Sequence, residues 1–244
     1  TTRKGGALGF SKAAENVRYY VPILAAHEID GIETHYLDER TTTLDGNGVP
    51  QEADFQGNGK ITIYTGASGQ AADADLVAAF TEVTSAFDFK GLAVAVIQAP
   101  RVDPRNFQTV YPGGREWIYA PVLRGHNKIY DPRDETYKFT ANAALIIAYW
   151  ITEILGQSVD WDEVAAEADA CDVQVTNAQG QQQARWEING VISDDQAFEA
   201  QRAQLAAACD GWLYERADGK IGFRVGRWIA PTITLGQSDF FAVS

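Results

Sequence analysis

A chain of 244 residues, 45% hydrophobic and 22% charged, can bury one large core or two to three small ones, and this composition excludes a disordered chain. A net charge of −13 with a pI near 4.6 excludes a binder that grips nucleic acid by its phosphates, because that needs clustered Lys and Arg. The longest apolar run, Ala143 to Ile151, falls well short of the ~18 residues that span a bilayer, so no membrane insertion is expected.

No signal-peptide pattern is visible. The chain begins at Thr1 and contains no Met, which predicts a processed product or a piece of something longer. Cys171 and Cys209 form no CxxC and predict neither a disulfide framework nor a zinc site; they read as small apolar residues on helix faces.

In chain order, Tyr19 to Leu24 is β-rich, and Ile29 to Tyr36 follows with a turn signal at Asp30-Gly31, so 28–33 reads as a hairpin-like crossing between two strands. Residues 41–59, punctuated by Asp45-Gly46-Asn47-Gly48 and Gly57-Asn58-Gly59, read as loop. Ile61 and Ile63 alternate with Thr62 and Tyr64 in a strand over Lys60 to Thr65. Leu76, Ala79, Phe80 and Val83 stand at helical spacing between Ala71 and Phe87. Gly91 to Ala99 is a continuous apolar strand, and Arg115 to Arg124, carrying Trp117 and Tyr119, a second one. Asp131-Pro132-Arg133 ends the β region.

The texture then changes. Thr140 is the expected N-cap of a helix running to Leu155 and stopped by Gly156; Asp160 opens a second helix with Trp161, Val164 and Ala168 on one stripe. Ala184 to Asn189 reads as a short strand. Ser193, followed by Asp194 and Asp195, reads as the start of a third helix with Phe198, Leu205 and Ala206 on its apolar side. Trp212 to Glu215 and Ile221 to Val225 form a hairpin around Asp218-Gly219, and the chain from Arg227 is extended.

Catalytic and metal motifs fail one by one. Gly59-Lys60 is followed by Ile61 and lacks the leading Gly of a phosphate loop. Asp45 and Asn47 offer two oxygens of a calcium loop before Val49 breaks the pattern, so a turn is expected. His27, His35 and His126 are far apart in sequence and show no HExxH spacing. No GxSxG is present. Asp160, Asp162 and Glu163, like Asp194 and Asp195, open helices, where carboxylates cap free N–H groups rather than face a sugar bond. Six tryptophans and ten tyrosines are an excess of large aromatics, and Trp117, Trp150, Trp186 and Trp212 are expected in a core or a subunit interface. No catalytic, cofactor or metal residue is assigned.

One ordered set of segments is more specific. Tyr20-Val-Pro-Ile-Leu-Ala-Ala-His-Glu-Ile-Asp-Gly-Ile-Glu33 resembles an apolar strand leading into a "gEIdGI" stretch in the central tail-tip proteins of lambda-like long-tailed phages. Arg124 to Arg133 is similar to that family's strand-turn-"vyDpR" signature, and Thr140 to Leu145 to its "s.NPAl" helix start, with Ala143 where the family often has Pro. Ala168 to Asp172 resembles "ANaCDe", Arg185 to Ile192 resembles "RyraNGvi", and the helix with the hairpin Gly211 to Arg224 resembles the segment that follows.

The resemblance implies a hub related to the baseplate hub of contractile tails and to the matching component of gene-transfer agents. Its expected fold class is α+β, a multi-domain hub with β-barrel-like domains and a mixed helical domain. The expected division is a discontinuous β-rich hub domain, 1–40 and 88–138; an inserted α+β segment, 41–87; a mainly helical domain, 139–210; and a hairpin with an extended tail, 211–244. The expected function is structural and not enzymatic: a virion component at the phage tail tip that closes the tail tube and forms a passage for DNA during ejection. The expected partners are two further copies in a homotrimer, a distal tail protein, a tape-measure protein and tail fibres, with DNA passing through unbound. Set against the family's usual length, this chain is expected to lack the fibre-bearing C-terminal region, so direct receptor binding is not expected of it. Two other classes compete: a tail-associated cell-wall hydrolase and a carbohydrate-binding module.

Overall fold

The computed structural model describes residues 16–193, 195–231 and 233–236. The chain forms two compact units, one ending at Lys128 and one beginning at Ile129. Together they make an α+β fold of several small sheets and short helices, and among the described residues no sheet closes into a barrel.

The first unit is built on β6 (Ala93–Pro100). Its Ala-Val-Ala-Val-Ile run is buried at every position, as a strand covered on both faces must be. β5 (Lys60–Tyr64) pairs along one side of it; β1 (Val17–Tyr20) and β2 (Ile23–Ala25) share the other, all antiparallel. Pro22 stands between β1 and β2 on this sheet edge, where a missing N–H is tolerated, and its carbonyl still accepts from Ala95 N at 3.2 Å.

A second sheet has the order β4-β3-β7, from β3 (Ile29–Leu37), β4 (Arg40–Thr42) and β7 (Val122–His126). The core between these elements gathers Leu37, Phe55, Ile61, Ile97, Tyr111 and Trp117. Short helices α1 (Ala74–Ala79) and α2 (Phe107–Val110) lie in the connections.

The second unit holds helices α3 (Ala143–Tyr149), α4 (Trp161–Asp172) and α5 (Phe198–Ala208) and three hairpins. The hairpins are β8–β9 (Ile129–Asp131, Thr136–Lys138), β10–β11 (Gln174–Thr176, Gln182–Ala184) and β12–β13 (Trp212–Glu215, Ile221–Arg224). Ala143, Ala144 and Ala148 are fully or almost fully buried on α3, and such small side chains let helix backbones approach closely. Leu145, Val164, Cys171, Leu205 and Phe223 complete the core. α3 widens into a π turn over Trp150–Ile154, with Leu155 N bonded to Trp150 O five residues back, and stops at Gly156 in the left-handed region, φ 64°.

Several expectations are corrected. Asp30-Gly31 is not a turn: both lie inside the nine-residue β3. The turn comes at Asp38-Glu39, where both residues take positive φ (49° and 65°) and join Leu37 to Arg40 as a two-residue hairpin loop. Of the 115–124 segment only the last three residues are strand, as the start of β7 (Val122–His126). Residues 115–121 are held instead by separate contacts: the Trp117 indole donates to Val110 O at 2.8 Å, Arg115 to Ala99 O at 2.7 Å, Ile118 N to Asp38 Oδ1 at 2.8 Å, and Tyr119 forms an isolated bridge to Leu37.

The helix expected over 71–87 is confined to Ala74–Ala79, with Asp73 as its side-chain cap. The strand expected at 184–189 is Gln182–Ala184. The third helix starts at Phe198 behind Ala197, not at Ser193, and Asp194 lies outside the described residues. Thr140 is one step removed from its expected role: its hydroxyl accepts from Asn142 N, and Asn142 caps α3.

The chain also divides differently from the expected boundaries. β5, from the segment set apart as 41–87, pairs through its full length with β6, and β8–β9 belongs with the helices rather than with the sheets before it.

Candidate functional site

The second unit concentrates charge at the meeting point of β8, α3 and α4. Asp131 ends β8 and is 1% exposed. A buried carboxylate survives only if paired and hydrogen-bonded, and Asp131 takes a two-pronged contact from Arg133, Nε at 2.9 Å and Nη2 at 2.8 Å, with Lys138 Nζ at 3.1 Å. The Arg133 hydrogen bonds hold its carboxyl far below the usual carboxylate range. Arg133 also reaches Asp169 at 3.0 Å and Asp172 at 2.7 Å on the last turn of α4.

Asn142 ties α3 into the same cluster. Its Oδ1 accepts from Ala144 N and Leu145 N, filling the orphan donors of the helix start, and its Nδ2 donates to Ala168 O and to Asp172 Oδ1, both at 2.9 Å.

A second charged knot sits farther along. Glu167, 0% exposed in the middle of α4, accepts from Arg224 at 2.6 Å, Arg227 at 2.7 Å and Val225 N at 3.0 Å. Trp186 donates its indole N–H to Gly226 O at 2.8 Å. Removing one member of such an Arg–Glu–Arg set strands the others without a partner. These groups hold α4, β13 and the connections together, and their polar atoms point at one another rather than into a cleft.

The residues tested in the sequence fall into place around this frame. Asp160 Oδ1 caps α4 by accepting from Asp162 N and Glu163 N, as expected, while Arg216 binds Asp160 and Glu163 and the Tyr214 hydroxyl donates to Glu163. Asp45 receives Asn47 N and Val49 N, both at 2.8 Å, and is a turn residue as expected. Lys60 lies in β5 and pairs with Asp75 at 2.6 Å. Cys171 and Cys209 are both fully buried in the second core, and burial pushes each thiol up to about 11. Trp117 and Trp150 are core residues, but Trp212 is 53% exposed.

The first unit has a shallow, solvent-open depression of about 470 Å³, bounded by Tyr20, Pro22 and Glu116 to Tyr119. Glu116 is its one carboxylate, and Arg18 pairs with it at 2.6 Å. His35 hydrogen-bonds the Tyr119 hydroxyl at 2.7 Å. His27 and His126, apparently unrelated in sequence, meet edge to face with ring centroids 4.8 Å apart. Desolvation, and then the neighbouring His27, hold His126 below the ordinary imidazole value.

Three features escaped the sequence. The Arg133 fan of three carboxylates required the fold to bring α4 to β8. The Glu167 knot had a visible signal: a lone Glu on the apolar stripe of Trp161, Val164 and Ala168 must find cations when that stripe is buried. The histidine pair had none, because strand pairing between β3 and β7 creates it. Among the described residues no group of three or more His, Cys, Asp or Glu side chains is arranged to hold a metal ion, and no helix is long and apolar enough to cross a membrane. No protein-family model matches the chain, and no curated protein is significantly similar to it.

Proposed function

We propose that the chain is a structural subunit of the tail-tip hub of a long-tailed phage or gene-transfer agent, which closes the tail tube and lets DNA pass without holding it. The observation that carries this reading is where the resembling segments meet. Asp131 and Arg133, Asn142, Asp172, and Trp186 come from four of those segments, and they join through side-chain hydrogen bonds or backbone pairing on α3 and α4. Trp186 N bonds to Cys171 O, and Ile188 N to Ala141 O at 2.8 Å, so the "RyraNGvi"-like segment is strapped to both helices. Side chains engaged in this way build a rigid frame, which suits a part that must bear load and present fixed surfaces.

The charge supports the same reading. At −13 the chain repels phosphates, which favours passage of nucleic acid over adhesion. In this reading three copies form a ring that meets a distal tail protein, a tape-measure protein and fibres, and the two units are parts of a larger multi-domain hub. Of the carboxylates considered for wall hydrolysis, Asp160 caps α4 and both Asp160 and Glu163 are paired with Arg216, which disfavours the hydrolase alternative.

Antibodies raised against the purified chain test the assignment on particles produced by the strain that encodes it. Immunogold electron microscopy is expected to label the distal end of the tail. Labelling of heads, of the tail shaft alone or of no particle would overturn it.

A further inference from the structure

The chain contains three Asn-Gly pairs: Asn47-Gly48, Asn58-Gly59 and Asn189-Gly190. In such a pair the glycine nitrogen can attack the asparagine side-chain carbonyl, because the glycine has no Cβ to stand in the way. The attack needs a nitrogen free of hydrogen bonds, a carboxamide free to swing and a backbone able to follow. The fold denies one or more of these to two pairs and leaves all of them to the third.

At Asn47-Gly48 the glycine N–H donates to Asp45 O at 3.0 Å and the glycine carbonyl accepts from Ile61 N at 2.8 Å, so the glycine is clamped on both sides. At Asn58-Gly59 the carboxamide is held: Nδ2 donates to Phe55 O at 3.0 Å and to Gln56 O at 3.3 Å. Gly59 is also packed so closely on Trp117 that a Cβ there would lie 2.4 Å from the indole. Asn189 and Gly190 are both exposed and lie outside any helix or strand. Among the described residues neither the Asn189 side chain nor Gly190 N has a hydrogen-bond partner. The last anchor before them is Ile188 N on Ala141 O, and the next helix begins only at Phe198.

We propose that Asn189-Gly190 is a site of spontaneous covalent modification, where Asn189 closes a succinimide on Gly190 N and reopens as aspartate or isoaspartate. Gly190 N loses its proton to hydroxide or a buffer base and bonds to Asn189 Cγ, and the side-chain nitrogen leaves as ammonia. Water then opens the ring. Breaking the bond from Gly190 N to Cγ gives aspartate; breaking the bond from Gly190 N to the Asn189 backbone carbonyl carbon gives isoaspartate. The sum is carboxamide plus water to carboxylate plus ammonium, with no oxidant or reductant. Each event adds one negative charge to a chain that carries −13. The isoaspartyl product also lengthens the backbone by one methylene, just where the chain leaves its anchor at Ala141.

The test incubates the whole purified chain in warm, mildly alkaline buffer, with and without denaturant. Samples are digested at mildly acidic pH and mapped by mass spectrometry, with isoaspartyl methyltransferase labelling. In the native chain, conversion at Asn189 should outrun that at Asn47 and Asn58 by about tenfold or more, the factor that first breaking one hydrogen bond imposes. In denaturant the three rates should converge, since glycine follows each asparagine. Gly190→Ala should slow conversion at Asn189 severalfold, and it keeps the fold because a Cβ at Gly190 meets nothing within 4 Å. Equal native rates at the three pairs, or an Asn189 that stays intact in the native chain while it converts in denaturant, would overturn the site. So would a folded Gly190→Ala that converts as fast as the wild type, or a rate difference that survives denaturant, because the fold would not be its cause.

Discussion

Asn142 and Asp172 stand 30 positions apart, yet the amide of one donates to the carboxylate of the other at 2.9 Å, while the second oxygen of Asp172 takes Arg133. One side chain therefore caps α3, holds the end of α4, and completes a shell whose far side is the buried Asp131.

Asn142→Ala removes all of this together. The lost cap alone costs about 1 kcal/mol. Ala168 O and Asp172 Oδ1 also lose a donor, at about 1–2 kcal/mol more for partly buried acceptors. The expected total is about 2–3 kcal/mol, read from urea unfolding. Asn142→Asp should retain the cap but set a carboxylate against Asp172, and so should be no better than Ala. A loss below about 0.5 kcal/mol for Asn142→Ala would show that the network carries no weight.

Asp131 supplies a pH test. Its folded-state carboxyl ionises at lower pH than an unfolded aspartate, mainly through Arg133. The stability from this shift is complete above the unfolded value near pH 4 and is lost as pH falls below it toward the folded one. Other lowered carboxylates, Asp75 among them, add to the same acid loss, so the comparison must be differential. Between pH 5 and about pH 2.5 the wild type should lose more stability than Asp131→Asn. Parallel profiles would contradict the assignment.

How much of this was legible beforehand differs from residue to residue. β5, β6, the cap at Asp160, the stop at Gly156 and the last hairpin follow from patterns within a few residues, and the sequence announces them. The 115–121 segment misleads because its apolar density reflects one anchored indole, Trp117, and not ladder pairing. Asp30-Gly31 misleads because a glycine in a strand carries the same local signal as a turn, and pairing of Gly31 with Arg124 and of Ile32 with Leu123 across β7 overrides it. The turn at Asp38-Glu39 is hidden because neither residue is glycine. The Arg133 fan and the histidine pair are properties of the tertiary register, and no local spacing encodes them.

Two nearby glycines separate backbone strain from overpacking. Gly57 and Gly59 both take positive φ, 67° and 86°. A Cβ on Gly57 would meet nothing within 4 Å, whereas on Gly59 it would lie 2.4 Å from Trp117 Cη2. Gly57→Ala should cost about 1 kcal/mol from conformation alone, and Gly59→Ala about 2–4 kcal/mol because the core indole must also move. Trp117 emission should shift to the red only in Gly59→Ala. Equal effects of the two substitutions would refute the clash.

The thiols give a test of packing. Cys171 and Cys209 are buried in one core and their pKa values are pushed up to about 11, so at neutral pH they are neutral and enclosed. Neither should react with a chromogenic disulfide reagent in the native chain within minutes at pH 8, and both should react at once in denaturant. Rapid native labelling of either would mean that this core opens far more readily than its packing implies.

The last prediction concerns assembly. Along 117–119, Trp117 is 1% exposed while Ile118 is 73% exposed, so the alternation that buries the indole turns an isoleucine outward. In β12 the pattern repeats: Leu213 packs on the second core, and Trp212 remains 53% exposed. Removing such surface from water is favourable by ~25 cal/mol per Å², which gives these side chains a reason to meet a neighbour. Opposing this, each chain carries −13, and like charges resist association until salt shortens the screening length to about 3 Å near 1 M. The hub reading sets the number of copies at three. Sedimentation or light scattering should therefore find the 26.6 kDa chain alone at low salt and a species of three times that mass at high concentration in about 1 M salt. Ile118→Glu or Trp212→Glu, both at exposed positions where the fold has little to lose, should return the protein to a monomer. A wild-type chain that stays monomeric across this range, or an oligomer indifferent to both substitutions, would remove these surfaces from any ring.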